Sequence, residues 1–165
     1  MTDLERITSY LRAQSRKLSV PELVEKVRND ARQLRDALAA VPADRFPLKP
    51  APDEWSPNEV AAHIVTTSDL FGQAISEIVA GREPTSTPLD VVSDRVPVRT
   101  GEEWWELHEA NRERLFASVL GADPEAHLDR NIYHPIFGNL NWREALLFLR
   151  IHDLDHARQI EAAID

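Results

Sequence analysis

Two histidines stand four residues apart near the C-terminus, in the run Ile151-His152-Asp153-Leu154-Asp155-His156. On a helix, residues at that spacing lie one above the other on one face. Two neutral imidazoles so placed can grip a metal ion from one side. A third candidate, His63, belongs to an earlier helical stretch that can pack against the pair. Three protein ligands leave coordination positions open for water or substrate, as catalytic sites do. A histidine on a half-apolar face is also commonly a packed, hydrogen-bonded residue, so spacing alone leaves both readings standing.

Composition narrows the chemistry. The chain has no cysteine, which excludes disulfides, thiolate metal sites, iron–sulfur clusters and a cysteine nucleophile. Any thiol must come from a small cosubstrate, and any metal must be held by His, Asp or Glu. That donor set suits zinc, nickel, iron or manganese. The formal net charge is −9, with Arg and Lys interleaved among acids throughout. A nucleic-acid binder needs a concentrated basic footprint, so neither nucleic acid nor an anionic membrane is an expected partner. The 42% hydrophobic content of the 165 residues contains no run long enough to span a membrane. The opening Met1-Thr2-Asp3-Leu4-Glu5-Arg6 is polar and acidic, unlike the start of a signal peptide, which predicts a cytoplasmic protein.

The elements that must position the histidines read as helices joined by proline-rich connections. Asp3 to Leu18 predicts a short amphipathic helix carrying Leu4, Ile7 and Leu11; an exposed stripe on it would favour a homodimer. Ser19-Val20-Pro21 opens a second helix, whose apolar stripe runs through Leu23, Val27, Leu34, Leu38 and Val41. Ser56, Pro57 and Glu59 form the start of a third, with a capping box. Val60, His63, Ile64, Thr67, Phe71, Ala74, Ile75 and Ile78 follow at helical spacing, so His63 should face the interior; Gly81 suits the end. Thr100 and Glu103 cap a fourth helix through Trp104, Leu107, His108, Asn111, Leu115 and Val119, closed by Gly121 and Pro124. Asn141, with Glu144, caps the last. No alternating run is long enough to predict a strand. The expectation is an all-α chain forming a single domain over 1–165, with four main helices and residues 1–18 as an N-terminal extension.

The quoted segments resemble the DinB/YfiT-like superfamily of four-helix-bundle, metal-dependent enzymes (unrelated to the DNA polymerase called DinB). Glu54-Trp55-Ser56-Pro57-Asn58-Glu59-Val60-Ala61-Ala62-His63 is similar to the family's Trp-Ser-x-x-Glu-x-x-x-His helix start. Phe137-Gly138-Asn139-Leu140-Asn141-Trp142-Arg143-Glu144-Ala145, leading into His152-x-x-x-His156 and Ala157-Arg158-Gln159-Ile160, is similar to its second motif. The resemblance covers roughly Val20 to Ile164. It implies a four-helix bundle with a divalent metal on His63, His152 and His156, zinc or nickel foremost. It also implies a small-molecule substrate, in some relatives a low-molecular-weight thiol transferred to an electrophile. A metal-dependent hydrolase and a non-catalytic stress-response binding protein are the alternatives.

Other candidates have plain structural explanations beside functional ones. Asp153 and Asp155 are expected to be solvated helix charges, because neighbouring positions point away from the histidine face. Glu59 is explained by its capping box, with a role behind the metal as the alternative. His134 reads as a loop residue beside Pro135 or as a contact to substrate or metal. Arg158 reads as a surface charge or as a contact to an anionic substrate. His108 and His127 have no supporting pattern, and Trp104 with Trp105 reads as a core residue with an amphipathic neighbour. Specificity is expected in loops 82–100 and 125–141.

Overall fold

A computed structural model describes residues 1–85 and 95–165. In chain order they form α1 (Asp3–Lys17), α2 (Val20–Ala40), α3 (Pro57–Val79), α4 (Gly101–Leu120), β1 (Ile132–His134), β2 (Gly138–Leu140) and α5 (Trp142–Ala162). Each helix begins with a capping box: Thr2 with Glu5, Ser19 with Glu22, Ser56 with Glu59, Thr100 with Glu103, and Asn141 with Glu144. Two otherwise orphaned backbone N–H groups are satisfied at each start. At the other end of α3, Gly81 adopts φ +80°, and the Gly81 and Arg82 N–H groups donate to the Ile78 and Glu77 carbonyls, both at 2.9 Å. That left-handed closure is what a glycine just past a helix end supplies.

The principal packing pairs are α2 with α5 and α4, and α3 with α4 and α5. They close a four-helix ring in which α2 faces α3, and α4 faces α5, across the axis. Both diagonal pairs are consecutive helices, so their connections must cross an end of the bundle. This accounts for the long links 41–56 and 121–141. Gly101 lets α4 start hard against α2, since a Cβ there would stand 2.6 Å from the Leu38 carbonyl oxygen. Polar as it is, α1 docks on α5. It buries Leu11 and Ser15, and the buried Arg143 guanidinium donates to the Ser15, Leu18 and Pro124 carbonyls.

The absence of strands expected from the sequence is corrected by a small antiparallel hairpin, with Ile132 opposite Leu140 and His134 opposite Gly138. Strands of three residues are too short to show alternation. The hairpin is anchored by burying Ile132 and Leu140, and Gly138 takes φ +72°. Among the described residues, no helix is long and apolar enough to cross a membrane.

The interior holds two apolar clusters. One gathers Leu23, Val27, Phe71, Ile75, Phe116, Trp142 and Phe148; the other gathers Leu34, Leu38, Val60, Ile64, Trp104, Ala157 and Ile160. Between them, α3 contributes buried Thr67 and Ser68, α4 contributes His108 and Arg112, and α5 contributes Asp153. A polar layer therefore divides the core, and the candidate site opens at its edge.

Candidate metal centre

His63 on α3 and His152 and His156 on α5 meet where those helices pack. One ligating atom from each lies within 4.8 Å of the others. Ring centroids are 5.4 Å apart for His63–His152, 4.8 Å for His63–His156 and 4.5 Å for His152–His156. His63 is buried, as its place on the apolar stripe predicts, and His156 is half-buried. Zinc–nitrogen bonds of about 2.0–2.1 Å place tetrahedral donors roughly 3.3 Å apart, so small side-chain movements would suffice to close the set on an ion.

The surroundings favour a neutral His152 with a lone pair to offer. Burial, then the neighbouring His156 and His63, holds His152 well below the ordinary histidine value. The His156 Nδ1 lies 2.8 Å from Gln159 Oε1. An amide oxygen only accepts, so Nδ1 carries the proton and Nε2 keeps its lone pair. The His63 Nδ1 has Thr67 Oγ1 at 3.5 Å. The buried His152 Nδ1 has no hydrogen-bond partner among the described residues. A buried unpaired polar atom is costly, and a cation held in the cluster would account for this one. The three imidazoles thus fit a divalent metal.

The cluster forms one end of a cavity of about 290 Å³. Phe71, Phe148 and Ile151 line it from the helices, Trp55 from the approach to α3, and His134 to Phe137 from the hairpin. A larger hollow of about 650 Å³ between the end of α2 and the start of α4 holds no such imidazole group.

The remaining sequence candidates separate cleanly. His134 lines the cavity but lies outside the three-imidazole group, and its Nδ1 accepts from the Ile136 and Phe137 N–H groups at 3.1 and 3.2 Å. Glu59 closes the α3 capping box and has Lys49 at 3.6 Å; it does not line the cavity. Arg158 pairs with Asp155 at 3.6 Å on the exposed surface, and Asp155 reaches the cavity rim. In the expected specificity loops, residues 86–94 lie outside the described residues, while 125–141 supplies the hairpin wall.

Asp153 corrects the sequence reading. It is fully buried and accepts two hydrogen bonds from Arg112, both 2.9 Å; Arg112 also donates to Ser68 Oγ at 3.1 Å. The His108 Nε2 stands 3.4 Å from the same carboxylate. Burial alone would raise the Asp153 carboxyl, but the Arg112 charge and then His108 outweigh it and hold the group well below the usual carboxylate range. Burial likewise lowers His108, against the pull of Asp153. The position after His152 does point away from the imidazole cluster, but toward the bundle axis rather than solvent. A signal existed on α4: His108 and Arg112 continue the stripe of Trp104, Leu115 and Val119.

Fold and site together define a helical bundle with three clustered imidazoles beside a small cavity. The chain belongs to the DinB superfamily, whose family model matches residues 23–160. Among solved structures it is similar to TT2238, a four-helix bundle protein, at TM-score 0.64 and 20% identity, over 87% of this chain and 99% of that one. It is similar to the DinB-like protein YjoA of Bacillus subtilis at TM-score 0.58 and 19% identity, over 86% and 89%. A mycothiol-dependent maleylpyruvate isomerase shares the fold at TM-score 0.66 and 14% identity; the match covers 89% of this chain and 62% of the isomerase. No curated protein matches the chain.

Proposed function

We propose that the protein is a metal-dependent enzyme that transfers a low-molecular-weight thiol to a small electrophile, with His63, His152 and His156 as the metal ligands. The observation that carries this reading is the convergence of three imidazoles, and no fourth ligand among the described residues, at the end of a cavity. A structural zinc site is normally closed by four protein ligands, whereas three leave room for substrate. A divalent ion on these imidazoles, zinc or nickel foremost, would supply the charge that favours a thiol in its reactive thiolate form. The chain has no thiol of its own to compete for that place. Gln159 orients His156, Thr67 stands beside His63, and aromatic side chains line the cavity beside them. The fold-sharing isomerase, being mycothiol-dependent by name, supports thiol chemistry on this scaffold.

Elemental mass spectrometry of tag-free protein tests the site. Near-stoichiometric metal in the wild type, lost in His152→Ala, is the expected result. Metal-free protein that also fails to take up zinc or nickel overturns the reading and leaves a helical binding protein. Loaded protein is then assayed with thiol and electrophile pairs. Turnover that needs no thiol would replace the transferase with the hydrolase.

A further inference from the structure

The cavity's second wall indicates what the non-reacting part of the substrate is made of. From the hairpin to the ligand His152 runs a continuous set of rings. His134 is 4.9 Å from Phe137, 4.8 Å from Phe148 and stacked on Phe71 at 6.0 Å; Phe71–Phe148 is 5.2 Å and Phe148–His152 is 5.8 Å. Trp55 closes the other flank, 5.1 Å from His63. The hairpin tip is locked over this space. With Nδ1 of His134 accepting two backbone N–H groups, neutral His134 carries its proton on Nε2, and the ring serves as wall rather than as a base at Nδ1.

At the mouth, Ile136 remains 64% exposed, beside the exposed Pro135. Core packing does not require an apolar side chain there, and a cavity mouth is where a ligand would cover it. At the rim the Asp155 carboxylate is paired with Arg158 at 3.6 Å, and among the described residues no lysine or arginine lines the cavity to receive an anionic tail.

We propose that the substrate's non-reacting part is a small uncharged aromatic ring, held against the wall that Phe71, Phe148 and Phe137 build together, with Phe137 packed 5.4 Å from Phe148, and covered at the mouth by Ile136, so that the hairpin sets specificity. This rests on the reading that substrate binds in the cavity beside the three imidazoles. The cavity is at the small end of ligand sites, enough for one ring and its reactive arm.

The test is calorimetric titration of zinc-loaded protein with phenylmethanethiol, 2-mercaptoethanol and 3-mercaptopropionate. Phenylmethanethiol should bind about tenfold tighter than 2-mercaptoethanol, as burying and stacking one ring provides, and the anionic thiol should bind no tighter than 2-mercaptoethanol. Ile136→Ser, at an exposed position, should cut that preference by about threefold with zinc content unchanged; Phe137→Ala should cut it further. Equal affinity for the three thiols, tightest binding of 3-mercaptopropionate, or an unchanged preference in both variants overturns the proposal. Saturation-transfer NMR with benzyl alcohol separates this proposal from the thiol reading. If no thiol binds but benzyl alcohol does, and Ile136→Ser weakens it, the aromatic grip stands and the thiol reading falls. If thiols bind regardless of tail, the reverse holds. If none of the four binds, both fall.

Discussion

Removing Arg112 while leaving Asp153 in place strands a carboxylate in the middle of the bundle. Arg112→Met keeps the length and apolar body of the side chain but deletes two 2.9 Å hydrogen bonds to a fully buried carboxylate and the bond to Ser68. Breaking one side of a buried ion pair costs about 3–5 kcal/mol, against a total stability on the order of 5–15 kcal/mol. At roughly 2–4 °C per kcal/mol for a chain of this size, the midpoint should fall by about 6–20 °C. Arg112→Met combined with Asp153→Leu removes both charges together. Replacing such a pair by apolar side chains is often neutral, so the double variant should recover at least about 2 kcal/mol over the single one. Urea unfolding of metal-free protein, followed by far-UV circular dichroism, measures both. A single variant costing under about 1 kcal/mol, or a double variant as unstable as the sum of its singles, would refute the buried-pair reasoning.

Acid should weaken the metal-free protein. His108 and His152 have folded values below the ordinary histidine one, so only the unfolded chain takes up these protons as pH first falls below about 6.5, and stability drops by up to roughly 1.4 kcal/mol per pH unit for each. The depressed Asp153 contributes stability that is complete above its unfolded value and lost only as pH falls through its lower folded value, so it leaves that window untouched. A midpoint unchanged between pH 7.5 and 5 would contradict the histidine assignment. Gln159→Leu should lower zinc affinity by about 10- to 100-fold in a chelator competition, because it removes the partner that fixes the His156 tautomer. Glu59→Ala should cost under about 1 kcal/mol of stability, with zinc content unchanged, since its bonds belong to the α3 cap; zinc loss would restore it as a group acting behind the metal.

Much of this was legible in the residues because it is local. The capping boxes predicted at Ser56, Thr100 and Asn141 all form, since the required partner sits three residues away. The inward face of His63 follows from helical period alone, as does the alignment of His152 with His156. What stayed hidden is non-local. Asp153 looks like a surface charge until Arg112, forty-one positions earlier, is known to reach it. Arg112 lies on an apolar stripe, but a lone cation there signals burial only if a carboxylate waits across the axis. The hairpin was missed because three-residue strands are too short for the alternation of faces to repeat, and its register depends on where Ile132 and Leu140 are buried.

Adjacent residues of α5 serve two interfaces because successive helical positions point about 100° apart. His152 turns to the groove shared with α3, and Asp153 to the axis shared with α4. The two roles are electrically linked. An unpaired Arg112 so close would repel any cation on the imidazoles, and it already contributes to lowering His152. Asp153, hydrogen-bonded twice to Arg112, pulls the other way on His152 and outweighs that repulsion. The same bonds tie α4 to α5, and the Ser68 bond ties both to α3 one residue from Thr67. The buried pair therefore fixes the relative placement of the helices that carry the three histidines without leaving a net charge beside them. An apolar replacement could match its stability and still lose zinc affinity, because packing alone would no longer fix that placement.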